Sequence, residues 1–246
     1  MRTISTLTIC QDEQNWIIHM LNFLSSMQLI DEVIIVDGGS KDDTVNAVKA
    51  FKKAQEKFNF YKMDIKLIDN PMPESFAEQR NLALSYCTGD WILQIDADET
   101  YSANIKELLK EIKQEKYEDK IGIIFPTAHL ILDEYHMNDN GGDVHIRLFK
   151  NLPEIEFRGD VHEQLYYKDQ LLRELNVISS GNCVLKHYSM LKNKEDLLVK
   201  GKRYLQWTKK SQEAGIPLTE DEEFFTKAIE NRILQGNLIK VPEEWY

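Results

Sequence analysis

The sequence has no excess of positive charge, no even set of cysteines and no long hydrophobic run. Its 246 residues include 30 lysines and arginines against 41 acidic residues, a net charge of −11, so a general nucleic-acid binder is not expected. No apolar run approaches the roughly 18–20 residues that cross a bilayer, and the first residues lack the pattern of a signal peptide. The three cysteines are far apart in the chain and indicate reduced core thiols: Cys10, Cys87 and Cys183. We therefore expect a soluble, cytoplasmic protein.

An apolar run that ends in two aspartates is the most informative segment. Trp91–Ile95 predicts a buried strand, and Asp96 and Asp98 follow where that strand leaves the sheet. Ligands of open α/β sheets bind beyond the carboxyl ends of the strands, and alternate residues of an extended chain point to one side. Two carboxylates placed this way suit a Mg²⁺ or Mn²⁺ ion shared with substrate phosphates. The alternative is that they only end the strand and cap a helix near Ser102.

Strand and helix patterns alternate over the first hundred residues. Apolar strand-like runs occupy 4–10, 32–36, 65–69 and 91–95. Between them, the patterns predict a helix from Trp16, a helix through Phe51 and a helix from Ser75 to Tyr86, which Gly89 closes. Strands separated by single helices indicate an α/β fold with a parallel sheet.

The pattern changes after residue 100. An amphipathic helix is predicted over Asn104–Lys116 and a strand over Ile121–Pro126, followed by mixed, largely antiparallel β structure over 127–190. The tail is charged and helical, and Pro217 divides it into two helices. We predict one domain over 1–190 and a helical extension over 191–246 that packs on it and leaves a peripheral membrane contact open.

Four polar segments fall in order along this pattern: Thr8–Glu13, Val36–Thr44 (VDGGSKDDT), Phe76–Ala83 (FAEQRNLA) and Asp96–Glu99 (DADE). Together they resemble the inverting family 2 glycosyltransferases with the GT-A fold, over about residues 3–190. Two later segments resemble the branch of that family that contains lipopolysaccharide-core glucosyltransferases: His145–Lys150 and Phe157–Glu163. The resemblance implies a mixed sheet flanked by helices. It also implies sugar transfer from a nucleoside-diphosphate sugar, a UDP-sugar favoured, to a hydroxyl of a glycan, glycolipid or protein-linked acceptor.

The resemblance places the nucleotide against the loops after the first two strands. Asp37 would accept from the ring NH of the base, and the alternative is an Asx-type turn at a strand end. Carboxylate and backbone oxygens would accept from the ribose hydroxyls, with these residues lining the base and ribose: Thr8, Cys10, Asp12 and Glu13. For Glu13 the alternative is a charge that favours the first turn of a helix.

The resemblance also implies the residues around the diphosphate. Arg80 would be the cation beside it, since a guanidinium matches phosphate geometry, or else a solvated helix arginine. Asp98 would ligate the Mn²⁺ or Mg²⁺ ion directly, and Asp96 would contact the ribose or, through water, the metal. His187 would be a further metal ligand, or else a hydrogen-bonded histidine near a strand end.

Glu163 is the candidate catalytic base. In inverting transfer the acceptor hydroxyl attacks the anomeric carbon from the face opposite the leaving group, and a nearby carboxylate takes its proton. Asp160 is a competing candidate, and an ordinary surface glutamate is the structural alternative for Glu163.

Two other functions remain open at the level of sequence. A nucleotidyltransferase of similar fold should have a Gly-rich, basic loop after the first strand, and residues 11–15 contain neither Gly nor Lys. A non-catalytic nucleotide-sugar-binding module should have lost acidic residues at 96, 98 or 163, and all three are present.

Overall fold

A computed structural model describes residues 1–58, 61–71, 75–130, 136–138, 144–160, 163–192 and 238–240. The α-helices are α1 (Ile17–Met27), α2 (Thr44–Phe58), α3 (Phe76–Tyr86) and α4 (Ile105–Lys113). The strands of the first half are β1 (Ile4–Cys10), β2 (Glu32–Asp37), β3 (Asp64–Asp69), β4 (Trp91–Gln94) and β5 (Glu99–Tyr101). Later strands are β6 (Gly122–His129), β7 (His136–Asn138), β8 (Val144–Lys150), β9 (Ile155–Arg158), β10 (Gln164–Tyr167), β11 (Gln170–Leu171), β12 (Val177–Ser179), β13 (Leu185–His187) and β14 (Leu238–Lys240).

The first four strands form the parallel sheet that the alternating pattern predicts. They lie in the order β3-β2-β1-β4, and every neighbouring pair is parallel. All residues of β1 and β2 are buried, which is typical of parallel strands with both faces covered. The carboxyl ends of these strands therefore meet at one edge, where the polar segments of the sequence follow them.

The second half of the sheet is mixed. Strand β8 lies antiparallel between β4 and β6, whereas β12 and β13 run parallel to β6 along its other side. The expectation of largely antiparallel structure holds for β8, for the β9-β10-β11 sheet and for the pairing of β13 with β5, but not for the pairings of β12 and β13 with β6. Glu99–Tyr101, directly after the aspartates where we expected the chain to leave the sheet, forms β5 and pairs with β13, so His187 lies opposite Glu99.

Two hydrophobic clusters cover the two faces of the sheet. One contains Ile17 of α1, Val48 of α2 and Leu109 of α4. The other contains Ala83 of α3 and Phe157 of β9. The three cysteines are free and buried, as the sequence indicates. This layered packing fixes α3 and the β9-β10 hairpin on the same side of the sheet.

The predicted helices occur with shifted ends. The second helix extends to Phe58 rather than Phe51, and α4 ends at Lys113, just before the positive-φ residue Glu115. The tail helices and their division at Pro217 lie outside the described residues. Among the residues that the structure describes, no helix combines the length and apolar character needed to span a membrane.

Gly89 does not close α3, as we expected, because the cap of that helix is Cys87 with extended backbone. Gly89 instead allows the chain before β4 to pack closely against β1, since a Cβ at Gly89 would lie 2.6 Å from the backbone nitrogen of Ser5. We expect Gly89→Ala to lower the free energy of unfolding by about 1–3 kcal/mol, because β1 and β4 would have to separate locally. Gly122→Ala is the matched control, since its Cβ would meet the side-chain atom Ile146 Cγ2 at 3.1 Å, which can move. Equal urea midpoints for the two variants would contradict the assignment of Gly89 to close packing against Ser5.

Candidate functional site

The site begins where β1 and β2 end side by side. Cys10 and Asp37 are register partners, and Cys10 Sγ lies 3.7 Å from Asp37 Oδ1. Burial raises the pKa of the Cys10 thiol well above its ordinary value, and the Asp37 charge raises it further. Cys10 is therefore a protonated packing residue at this edge and not a thiolate nucleophile.

Asp37 holds the tight turn that follows β2. Its Oδ2 accepts from the backbone N–H of Gly39 at 3.0 Å and of Ser40 at 2.9 Å, and the Ser40 hydroxyl donates to Oδ1. Gly39 has φ of +87°, a conformation that glycine adopts without a Cβ clash. These contacts form the Asx-type turn that the sequence left open as an alternative, while contact with the nucleotide base stays a prediction for Asp37.

The rest of the Asp-Gly-Gly-Ser segment fixes the loop after β1. The Asp12 N–H donates to Ser40 Oγ at 2.9 Å, and the Lys41 N–H donates to Asp12 Oδ1 at 2.7 Å. The Glu13 N–H donates to Thr44 Oγ1 at 2.7 Å. The motif therefore orders the loop that carries Glu13, which explains in physical terms why serine and threonine occur at these spacings.

Arg80 joins the first aspartate of Asp-Ala-Asp to the candidate base. Its Nη1 and Nη2 donate to the two oxygens of Asp96 at 2.7 and 2.9 Å, and its Nε donates to Glu163 Oε1. The Arg80 side chain is only 6% exposed, so it is not the solvated arginine of the alternative interpretation. Burial raises the pKa of Asp96, but the Arg80 charge outweighs it, and the pKa of Asp96 falls to about 2. Asp96 is therefore ionised at neutral pH.

A second buried arginine, Arg147, which we did not predict as a site residue, extends this cluster. Arg147 Nη2 donates to Glu99 Oε1 at 3.1 Å, and Arg147 Nη1 lies 3.9 Å from Asp96 Oδ2. With its amide oxygen turned toward the guanidinium groups, Gln94 accepts from Arg147 at 2.7 Å and from Arg80 at 3.2 Å. The sequence does carry a signal for Arg147, because it lies beside the apolar residues Leu148 and Phe149 in a predicted strand. A charge buried in a strand requires partners, so such an arginine indicates a polar cluster.

Asp98 lies in a separate ionic group. Asp98 Oδ2 is 3.6 Å from His187 Nε2 and 2.7 Å from Lys192 Nζ, and Lys192 also pairs with Glu13. His187 Nδ1 lies 3.1 Å from His129 Nδ1 on the neighbouring strand β6. The Asp98 charge also raises the pKa of Asp96, so the two carboxylates are close enough to interact.

The predicted residues thus form three contact groups: Cys10 with Asp37; Arg80 with Asp96 and Glu163; and Asp98 with His187 and, through Lys192, Glu13. Three other predicted residues, Thr8, Asp12 and Asp160, make other contacts, and those of Asp12 with Ser40 and Lys41 are given above. Thr8 is fully buried inside β1, and Asp160 contacts α3 through its backbone carbonyl, which accepts from the Phe76 N–H at 3.2 Å. For all of these residues, roles toward donor and acceptor stay predictions.

The donor set at Asp98 fits a metal ion that is shared with a substrate. Over the described part of the chain, no three His, Cys, Asp or Glu side chains form a metal cage. Mg²⁺ in nucleotide enzymes is typically held by one or two carboxylates together with substrate phosphates and water, and imidazole also suits Mn²⁺. Asp98 and His187 would hold the ion on the protein side.

Comparisons with known proteins identify relatives of the chain. Residues 5–154 match the family model for Glycosyl transferase family 2. An uncharacterized glycosyltransferase of Rickettsia typhi is 32% identical over 120 residues, which are 49% of this chain and 36% of that protein. The lipopolysaccharide core biosynthesis glycosyltransferase LpsC of Rhizobium meliloti is 29% identical over 109 residues, 44% of this chain and 36% of that protein. The matched segments span little more than a third of either relative.

The fold also resembles that of solved glycosyltransferases. The mannosyltransferase PcManGT from Pyrobaculum calidifontis, solved in complex with GDP-Man and Mn²⁺, superposes with a TM-score of 0.56. The superposition has 15% sequence identity and covers 94% of this chain and 70% of that chain. This likeness confirms the α/β GT-A fold predicted from the sequence. Because the family model covers more than half of the 246 residues, the chain belongs to glycosyltransferase family 2.

Proposed function

We propose that this chain is a metal-dependent, inverting glycosyltransferase. It would move a sugar from a nucleoside-diphosphate sugar to a hydroxyl of a glycan, glycolipid or protein-linked acceptor. The observation that carries this proposal is the division of Asp-Ala-Asp between two ionic groups. Asp98 contacts His187, and Asp96 is joined by one arginine to Glu163. The metal-binding side and the proton-accepting side that we propose would therefore meet at one edge of the sheet.

Each residue has a distinct part in this mechanism. Asp98 and His187 would hold a divalent ion, which when bound supplies positive charge that stabilises the departing diphosphate. Glu163 would accept the proton of the acceptor hydroxyl as the new bond to the anomeric carbon forms and the bond to the diphosphate breaks. Arg80 directs three N–H groups at Asp96 and Glu163, so it positions both carboxylates, and its contact with the diphosphate stays a prediction.

The proposal also includes the donor nucleotide and the acceptor. PcManGT was solved with GDP-Man, whereas we favour a UDP-sugar for this chain. LpsC is named for lipopolysaccharide core biosynthesis, which supports a saccharide acceptor. Family membership argues against the nucleotidyltransferase alternative, and the acidic residues at 96, 98 and 163 argue against a non-catalytic module.

Donor-dependent thermal stabilisation tests the proposal. We expect one of UDP-, GDP- or dTDP-sugars to raise the melting temperature in Mn²⁺ and to lose this effect in EDTA. A ligand at about 100 times its Kd adds about 2.7 kcal/mol, which is roughly 5–10 °C for a domain of this size. Stabilisation that is equal in Mn²⁺ and EDTA would contradict metal dependence. Stabilisation by nucleoside triphosphates alone would favour the nucleotidyltransferase, and binding without transfer to any acceptor would favour the binding module.

A further inference from the structure

Lys192 connects the predicted nucleotide side of the site to the predicted metal side. Its Nζ lies 2.7 Å from Asp98 Oδ2 and pairs with Glu13 Oε1. The Lys192 side chain is 6% exposed, and those of Asp98 and Glu13 are 4% and 12% exposed. Glu13 belongs to the loop after β1, which the Asp-Gly-Gly-Ser segment fixes, so this lysine contacts a rigid part of the site. We did not predict Lys192 as a site residue from the sequence.

The ammonium group competes for the oxygen that a metal ion would need. Asp98 Oδ2 is the atom that lies near both His187 Nε2 and Lys192 Nζ. A divalent ion held by Asp98 would add a second cation beside the ammonium, which already lies 2.7 Å from this oxygen. Two like charges in one buried site repel each other. We therefore expect Lys192 to move away from Asp98 when a divalent ion binds there.

Charge balance indicates that the ammonium stays within the cluster. Asp98, Glu13, the diphosphate of a nucleotide sugar with two negative charges and one divalent ion together carry a net charge of −2. A buried cluster with excess negative charge is costly, so it favours keeping the ammonium of Lys192. Lys192 has a flexible four-carbon stem and three N–H donors, so it can turn from Asp98 to a phosphate oxygen and stay within the cluster.

We propose that Lys192 is a resident counter-cation of the donor site. Without donor it neutralises Asp98 and Glu13; with donor it yields Asp98 to the divalent ion and binds the diphosphate. This inference rests on the proposed function, because it takes a nucleoside diphosphate and a divalent ion as ligands. According to this inference, Lys192 has opposite effects on the two ligands. It lowers the affinity for the metal ion when no nucleotide is present, and it raises the affinity for the diphosphate.

Lys192→Met tests this, since methionine keeps much of the stem and removes the charge. Mn²⁺ titration followed by electron paramagnetic resonance measures metal binding without nucleotide. Calorimetry in saturating Mn²⁺ measures binding of UDP, GDP or dTDP, whichever binds the wild type most tightly. We expect Mn²⁺ alone to bind about 3- to 10-fold more tightly to the variant and the diphosphate to bind about 10- to 100-fold more weakly. Lys192→Arg, which keeps the charge, should stay within a few-fold of wild type for the diphosphate.

Lys113→Met is the matched control for loss of a buried lysine. Lys113 Nζ pairs with Asp31 at 2.6 Å, and its side chain is 12% exposed, but it extends from α4 to the opposite end of the sheet. Lys113→Met should leave the affinity for Mn²⁺ and the affinity for the diphosphate unchanged. If the wild type binds and either affinity of Lys192→Met matches it, the inference about Lys192 is wrong and the proposed function stands. If the wild type binds none of the three diphosphates with Mn²⁺, both are wrong.

Discussion

Glu163→Gln is expected to lower the rate of sugar transfer by about 10²- to 10⁴-fold while leaving donor binding nearly intact. Glutamine keeps the shape and one acceptor oxygen of glutamate, so it can still accept from Arg80 Nε. The substitution therefore preserves the arginine that holds Asp96 and removes the basic carboxylate. Transfer to a saccharide acceptor, or slow donor hydrolysis as a substitute, measures the rate, and calorimetry measures donor affinity.

Asp160→Asn is the comparison that decides which carboxylate is the base. Glu163 is favoured because its side chain joins the Arg80–Asp96 ion pair. We expect Asp160→Asn to transfer at close to the wild-type rate. A slow Asp160→Asn with a fast Glu163→Gln would make Asp160 the base. Activity in both variants would refute the assignment of a base to this segment.

The parallel half of the sheet could be predicted from the sequence because local signals agree there. Strand-like runs of five to seven residues and the helical patterns between them indicated the same strand–helix alternation, and β1 to β4 follow it. Ser75, where we predicted the third helix to begin, is its N-cap and accepts from the Glu78 N–H, as a local pattern can indicate. Agreement of this kind requires no knowledge of distant contacts.

The direction of β12 and β13 could not be predicted, because it depends on which strand they join. Both pair with β6, which precedes them by about fifty residues, and short strands carry no local mark of direction. Gly89 shows the same limit. A glycine after a helix resembles a cap locally, but its neighbour in space is Ser5.

The site was predictable in its residue types but not in its pairings. The Asp-Ala-Asp segment indicated two carboxylates on one edge, and both lie there. Spacing alone did not indicate that Asp96 would be held by arginines while Asp98 faces a histidine and a lysine. Lys192 lies 94 positions after Asp98 in a charged segment, so only its burial in the fold distinguishes it from solvent-exposed lysines.

Asp98→Asn is expected to weaken Mn²⁺-dependent binding of the nucleoside diphosphate by about 100-fold or more. Removing a hydrogen-bond partner of a metal ligand already costs about 10- to 100-fold, and this change removes the charge of the ligand itself. The amide keeps the size of the side chain and one neutral oxygen. Lys192 keeps its pair with Glu13, so the fold around the site is retained. The residual affinity should be the same in Mn²⁺ and in EDTA, which calorimetry measures directly.

Asp90→Asn is the matched control, because Asp90 lies at the opposite end of the same strand. It accepts from the Thr3 N–H at 2.8 Å and pairs with Arg2 at 3.2 Å, both on the surface. Asp90→Asn should cost a little stability and leave the difference in diphosphate affinity between Mn²⁺ and EDTA unchanged.

His187→Ala should weaken the metal-dependent binding less than Asp98→Asn does, because a neutral imidazole contributes less charge to a divalent ion than a carboxylate. Donor binding by Asp98→Asn that kept full sensitivity to EDTA would place the metal elsewhere, and the division of Asp-Ala-Asp into a metal side and a base side would then be wrong.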